Sequence, residues 1–318
     1  MDERLLLNSG SHSHQTDPGG SIFQGASNVN IQGGTFQVYG SSGTDEKKRI
    51  ADAMALLATH AAQGAPYDAA AREDVPKCHE YTRVAIVDGI HHWAHCLKPG
   101  ARPLMWMYGP AGSGKTTIMQ TVAETFDKEG SLAASFFFSR LSAARPRDKG
   151  RFVITLAHQL SLCILALQQP LADALSDSSL LKKSLTKQLD ALIIGPLKTL
   201  DLTTIGARRI FLVDGLDECD GHMAQRDILN LLNHFLEEIG HHIRILVASR
   251  SLSPIQSFFA HSRIAEITET TPLDNDYQSN ADVTKFFNAE FAEIHVDHPS
   301  RGGLTAEWPS SLRLDNYY

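Results

Sequence analysis

Nine consecutive residues, Gly109-Pro110-Ala111-Gly112-Ser113-Gly114-Lys115-Thr116-Thr117, combine glycines, hydroxyls and one ammonium in the order G-x4-G-K-T. Glycines let a backbone curl until successive N–H groups point inward, which suits a polyphosphate. A helix starting directly behind such a loop adds the positive end of its dipole. In a loop of this kind Lys115 reaches the β- and γ-phosphates and the Thr116 hydroxyl ligates Mg²⁺. The expected cofactors are therefore ATP or ADP with Mg²⁺, held by Gly109 to Thr117.

A second group completes this chemistry. The apolar run Ile210-Phe211-Leu212-Val213 ends in Asp214, followed by Gly215-Leu216-Asp217-Glu218-Cys219-Asp220. In a parallel sheet, residues just past the carboxyl ends of neighbouring strands converge on one crevice. Asp214 is then placed to hold the metal through a water, and Asp217 and Glu218 to orient or deprotonate an attacking water. Spacing does not decide which of the two is the base. Acids at this place also suit the start of the following helix, so Asp217, Glu218 and Asp220 could serve as its cap. A third apolar run, Ile243 to Ala248, ends in Ser249-Arg250. A guanidinium at that strand end can report on the third phosphate, because its bidentate contacts exist only when that phosphate is present.

These groups need elements to position them, and the pattern supplies strands at 104 to 108, 132 to 138, 209 to 214 and 243 to 248. Helices are expected at 114 to 127, 151 to 168 and 222 to 239. Helical segments between short, wholly apolar strands indicate βαβ crossovers and an α/β fold, a P-loop NTPase with a parallel sheet covered by helices on both faces. Upstream, an Ala-rich helix over 45 to 62 is opened by acidic residues. A second helical stretch places Ile86, Ile90 and Trp93 on one face before Pro99-Gly100 ends it.

The four expected divisions are an arm at 1 to 44, a helical lead-in at 45 to 100, the NTPase domain at 101 to 297 and a polar tail at 298 to 318. The arm is rich in Gly, Ser, Asn and Gln, and Val29, Ile31, Phe36 and Val38 alternate around Gly33-Gly34. That pattern fits either a marginal hairpin on a flexible arm or a strand-stacking assembly motif.

An apolar fraction of 42% and a charged fraction of 20% suit a globular protein, and a net charge of -7 gives no broad positive field. Generic nucleic-acid binding is therefore not expected. Cys78, Cys96, Cys163 and Cys219 form no CxxC pair and have no matching His spacing, so neither a zinc site nor a disulfide framework is expected. No window of about 18 apolar residues occurs, so no membrane span is expected, and with no signal-peptide pattern the reading is cytoplasmic.

The motifs together resemble a known family. Trp106 to Thr117, Phe136-Phe137-Phe138-Ser139-Arg140, Phe152 to Leu160, Leu192-Ile193-Ile194-Gly195-Pro196-Leu197, Asp214 to Cys219 and Ala248-Ser249-Arg250 look like the NACHT-domain proteins of filamentous fungi. These are NOD-like, signal-transducing P-loop ATPases of the STAND class, and the similarity runs over roughly 75 to 295. It implies a switch that is closed with ADP, opens with ATP to oligomerise, and resets by slow hydrolysis.

Carried over by position, the resemblance implies phosphate and metal binding by Lys115 and Thr116, Mg²⁺ at Asp214, hydrolysis by Asp217 and Glu218, and γ-phosphate sensing by Arg250. It also implies that the Cys78 to Arg83 stretch packs near the adenine, and it favours assembly through the arm. Such proteins continue into a winged-helix region and a sensor repeat array. Here the sequence from His298 reads as a tail, so a truncated product, or a short regulator working through a homo-oligomer or a full-length NACHT partner, is expected.

Two other functions fit the loop. A small-molecule P-loop kinase would need a basic lid, for which Arg140, Arg145 and Arg147 are the nearby cluster. A scaffold that holds nucleotide without turning it over is the other. A GTPase reading lacks an Asn-Lys-x-Asp element, and an ABC-type ATPase lacks its signature.

Overall fold

The computed structural model describes residues 43–79, 82–140, 147–200 and 209–273. The hairpin pattern at Val29 to Val38, the tail from His298 and Arg145 lie outside the described residues. The chain divides into two units, residues 1–52 and 53–318. Of the first, the described part is the beginning of helix α1 (Gly43–His60), where Asp45 and Glu46 lie in the first turn and favour the positive helix end.

In the second unit α2 (Val84–His95) precedes β1 (Leu104–Tyr108), α3 (Lys115–Lys128) and β2 (Leu132–Phe137). Then come α4 (Phe152–Cys163), α5 (Gln168–Ala174), α6 (Leu185–Leu189) and α7 (Gly195–Lys198), with a π-turn at Asp190–Ile194 between the last two. Strand β3 (Arg209–Asp214), α8 (His222–Ile239), β4 (Ile243–Ser249), α9 (Ser253–Phe259), α10 (Ser262–Ile267) and β5 (Thr268–Pro272) complete it. The helix expected over 151 to 168 stops at Cys163 because Ile164 leaves helical geometry at φ -128° and ψ 86°.

Among the described residues five strands form one sheet in the order β2-β3-β4-β1-β5, with every pairing parallel. The strand bearing the glycine loop and the strand bearing Asp214 are thus not adjacent. β4 lies between them, pairing Tyr108 with Ser249 on one side and Val213 with Val247 on the other. Strand β5 was not legible as a strand, because Thr-Glu-Thr-Thr-Pro offers one buried residue, Thr268, and no apolar run.

Apolar residues on α3 recur at helical spacing, and Ile118, Met119, Val122, Ala123 and Phe126 are all buried. They share a core with Ile90 and Trp93 of α2 and with Met105, Met107, Leu212 and Leu246 of the sheet. Full burial of each large side chain contributes about 1.5–3 kcal/mol, so this core fixes the axis of α3 and with it the loop at its head.

At the other end of the sheet, the edge of β2 is covered by the segment after α1. Phe137 N–H donates to the Ala65 carbonyl at 2.8 Å and Tyr67 N–H to Ser135 Oγ at 2.9 Å. Covering the edge in this way removes a row of unpaired strand groups.

Candidate functional site

The glycine loop leaves β1 at Tyr108, whose carbonyl accepts the Leu273 N–H at 2.6 Å. That contact brings the chain after β5 against Gly109. A side chain at Gly109 would place its Cβ 2.6 Å from the Leu273 carbonyl oxygen, so only glycine fits. Further on, Gly112 and Gly114 take φ of +78° and +84°, and α3 begins at Lys115.

Lys115 Nζ folds back over its own loop and donates to the Gly109 carbonyl at 2.8 Å, the Pro110 carbonyl at 2.7 Å and Ser113 Oγ at 3.2 Å. Burial draws its pKa down, opposed by the carboxylates of Asp217 and Asp214. All three acceptors are neutral, whereas a phosphate oxygen is charged and makes a stronger bond to the ammonium.

Thr116, one residue on, joins the two halves of the site. Its hydroxyl donates to Asp214 Oδ2 at 2.7 Å. Asp214 is 2% exposed, and its other oxygen, Oδ1, has no hydrogen-bond partner among the described residues. Burial pushes the Asp214 pKa up to about 6, against the Thr116 hydrogen bond and the charges of Arg72 and Lys115. The Thr116 hydroxyl and the Asp214 carboxylate, whose Oδ1 is buried and unsatisfied, form an oxygen donor set that fits a hard divalent cation such as Mg²⁺.

Arg72 was not legible in the sequence. It lies in a short turn, Ala70–Arg72, is 9% exposed, stacks over the Phe137 ring at 3.7 Å and donates to Gln120 Oε1 at 3.1 Å. Burial lowers its pKa and the charge of Asp214 raises it, so a buried guanidinium is electrostatically coupled to the carboxylate that would hold the metal. Gln120 also donates to the Tyr67 carbonyl at 3.1 Å, which ties that segment to α3. No local motif marks Arg72; an arginine among alanines, 142 positions before Asp214, was the one cue.

The acidic turn Leu216–Glu218 follows Gly215, which takes φ +66°. A Cβ there would stand 2.7 Å from the Phe138 carbonyl oxygen, so glycine is required twice over. Asp217 is 3% exposed, and it is spanned by Arg250: Oδ1 accepts the Arg250 N–H at 2.9 Å and Oδ2 accepts Arg250 Nε at 2.6 Å. The Arg250 pKa is raised by that contact.

Glu218 is half-buried, and its Oε2 accepts the Arg140 N–H at 2.9 Å. Arg140 also donates to the Asp217 carbonyl at 2.8 Å, and buried Gln225 donates to the same carbonyl at 3.1 Å. Arg147 pairs with Asp220 at 3.3 Å. The helix cap is Gly221, with no side-chain cap, so the acids do not cap α8.

The structure thus brings Lys115, Thr116, Asp214, Asp217, Glu218 and Arg250 to one end of the sheet, with Arg250 directly after β4, the strand between the two halves. From the Cys78 to Arg83 stretch, Cys78 N–H donates to Thr121 Oγ1 at 2.9 Å and Arg83 Nη2 to the Ser113 carbonyl at 3.2 Å. Arg83 holds a left-handed backbone at φ 56°, which is uncommon away from glycine. This stretch therefore leans on the phosphate loop, while Glu80 and Tyr81 lie outside the described residues.

The sequence pattern of the family described as Nephrocystin 3, N-terminal, matches residues 86–250, just over half of the chain. That match spans the loop, the acidic turn and Arg250. No curated protein matches the chain by sequence. Among solved structures, the chain is similar to the Aeropyrum pernix ORC2 protein, solved as ADPNP and ADP complexes, at 14% identity and a TM-score of 0.42, covering 71% of this chain and 55% of that one. It is also similar to Drosophila ORC bound to GC-rich DNA and Cdc6, at 9% identity and a TM-score of 0.33, covering 89% and 44%. The chain spans about half the length of these structures' chains.

Proposed function

The chain belongs to the Nephrocystin 3, N-terminal, family, and from that premise we propose that it is a nucleotide-gated switch of the NACHT type, binding Mg-ATP and hydrolysing it slowly. The observation that carries this reading is the Thr116 to Asp214 hydrogen bond, 2.7 Å long, with the buried Asp214 Oδ1 beside it lacking a partner. A sheet-and-helix scaffold has no need of an unsatisfied buried carboxylate oxygen, which costs about 1–3 kcal/mol. A cation site does need one.

Thr116 and Asp214 would hold Mg²⁺, which would supply charge neutralisation to the phosphates. Lys115 would leave its own loop carbonyls for the phosphate oxygens, and the N–H groups at the head of α3 would add to it. Glu218 is the favoured residue to orient and deprotonate water, because both carboxylate oxygens of Asp217 are engaged by Arg250. Asp217 then positions Arg250, and a bound γ-phosphate would compete for that guanidinium. Arg140 and Arg147 brace the acidic turn through Asp217, Glu218 and Asp220, an arrangement that favours hydrolysis over a kinase lid.

Titration calorimetry with Mg-ATP tests the site. Lys115→Ala is expected to abolish binding, and unchanged affinity would overturn the assignment. Hydrolysis by Glu218→Gln should fall at least tenfold below that of the unaltered protein; equal, near-zero rates in both would favour a non-hydrolysing scaffold.

A further inference from the structure

The two imidazoles at the far end of α2 and one carboxylate after α3 form a cluster that the nucleotide site does not use. His91 and His95 are one helical turn apart, so they project from the same face of α2. His91 Nε2 lies 2.8 Å from Glu129 Oε1, and His95 Nε2 lies 3.0 Å from Glu129 Oε2. One carboxylate therefore faces two imidazoles, each oxygen taking its own nitrogen. The three ligand atoms lie within 4.8 Å of one another.

The cluster is held rigidly for a surface feature. Trp93 and Phe126, 3% and 0% exposed, lock α2 against α3 beneath it. Both imidazoles rest on the Phe126 ring, with centroids at 6.1 and 5.9 Å. Glu129 is fixed from below, since its N–H donates to the Thr125 carbonyl at 3.1 Å and the Gly130 N–H to the Asp127 carbonyl at 2.8 Å.

We propose that His91, His95 and Glu129 form a zinc-class metal site that staples α2 to α3. Two imidazole nitrogens and one carboxylate oxygen are a standard three-ligand set for Zn²⁺, with water in the fourth position, and a poor set for Mg²⁺. Ligands about 2.0–2.1 Å from a tetrahedral ion stand roughly 3.3–3.4 Å apart. The present 2.8 and 3.0 Å contacts, each to its own Glu129 oxygen, need to widen by about half an ångström, and the wider separations, within 4.8 Å, need to close as one oxygen turns toward both imidazoles. On binding, each Nε2 gives its lone pair to the metal and its ring proton resides on Nδ1.

No local motif marks this site in the sequence, because the third ligand comes 34 positions after His95. It stands apart from the phosphate loop, since α3 runs about 20 Å between Lys115 and Lys128. An ion there would stiffen the helix that carries Lys115 and Thr116 without touching the phosphates.

The full chain, freed of metal, should be titrated with Zn²⁺ alone by calorimetry while thermal unfolding is followed in parallel. The chain has 15 histidines, so the informative quantity is the equivalent that disappears on substitution. One tight equivalent is expected, weakened at least tenfold in His95→Gln and lost in His91→Gln/His95→Gln, and retained in Lys115→Ala. Zinc at ten times its Kd should raise Tm by about 3 °C or more in the unaltered protein and leave the double variant unmoved. Mg²⁺ in place of Zn²⁺ should not reproduce the shift.

Equal zinc affinity in the unaltered and doubly substituted proteins, or no bound equivalent at all, overturns the site. Should the double variant fail to give a folded circular-dichroism spectrum, cobalt(II) added to the unaltered protein and to Glu129→Gln decides. Intense visible bands of tetrahedral cobalt in the former, weakened in the latter, support the site, and the pale spectrum of hydrated cobalt in the former refutes it.

Discussion

Asp214 is a carboxylate whose ionised form the folded protein resists, because burial outweighs the Thr116 hydroxyl and the Arg72 and Lys115 charges and pushes its pKa from 3.8 to about 6. A raised carboxyl pKa stabilises the fold fully below about pH 4, and that contribution is lost as pH rises through about 6. Asp214→Asn keeps an acceptor for Thr116 and removes the buried charge. It is therefore expected to stabilise the ligand-free protein at pH 8 by about 2–3 kcal/mol and to do little at pH 4. Thermal melts at the two pH values check this, and a lower Tm for the variant at pH 8 would refute it. The same substitution should abolish Mg²⁺-dependent nucleotide binding, and in the unaltered protein that binding should weaken as pH falls through about 6. Arg72→Met keeps most of the packing on Phe137 but deletes the cation coupled to Asp214. The midpoint of this pH dependence should then move toward alkaline pH, a readout that loss of packing alone would not shift.

The turn after β3 works as an element because Gly215, Asp217 and Arg250 are mutually fitted. Gly215→Ala would force a left-handed residue with a Cβ against the Phe138 carbonyl oxygen, 2.7 Å away, where backbone cannot yield cheaply. A loss of about 2 kcal/mol or more is expected in denaturant unfolding, with a fall in hydrolysis because the acidic turn moves. The Asp217 to Arg250 contact should count for less, since the Arg250 side chain is 41% exposed and its charge is screened by water. A double-mutant cycle with Asp217→Asn and Arg250→Gln should return a coupling of about 1 kcal/mol or less without nucleotide. Adding Mg-ATP is expected to change that coupling, because the γ-phosphate competes for the same guanidinium; an identical coupling with ADP and ATP would argue against Arg250 as the sensor.

Over the whole molecule, what could be read from sequence was what is contiguous in it. Gly109 to Thr117 and Ile210 to Glu218 each carry their chemistry and their strand in one run, so loop, metal carboxylate and parallel sheet were all legible. The Asp217 to Arg250 and Arg72 to Asp214 relations join residues far apart in the chain and declare themselves only when β4 is seen between β1 and β3. Strand β5 is held by ladder bonds to β1 and by the buried Thr268 hydroxyl, which donates to the Ile264 carbonyl at 2.6 Å, and it has the most direct bearing on the proposed switch. Leu273, just beyond it, is 2% exposed, donates to the Tyr108 carbonyl and presses on Gly109. A loop that rearranges around phosphate must therefore carry Leu273 or break with it. Hydrogen exchange at the Leu273 amide is expected to differ between the ADP and non-hydrolysable ATP complexes, together with a change in molecular mass by light scattering if assembly follows from the nucleotide. Leu273→Ala leaves Lys115, Thr116 and Asp214 in place but removes the side chain that packs against the loop; it should keep nucleotide affinity within about threefold while diminishing the mass change. Loss of affinity in Leu273→Ala by more than tenfold would mean that this residue builds the nucleotide site instead of transmitting its state.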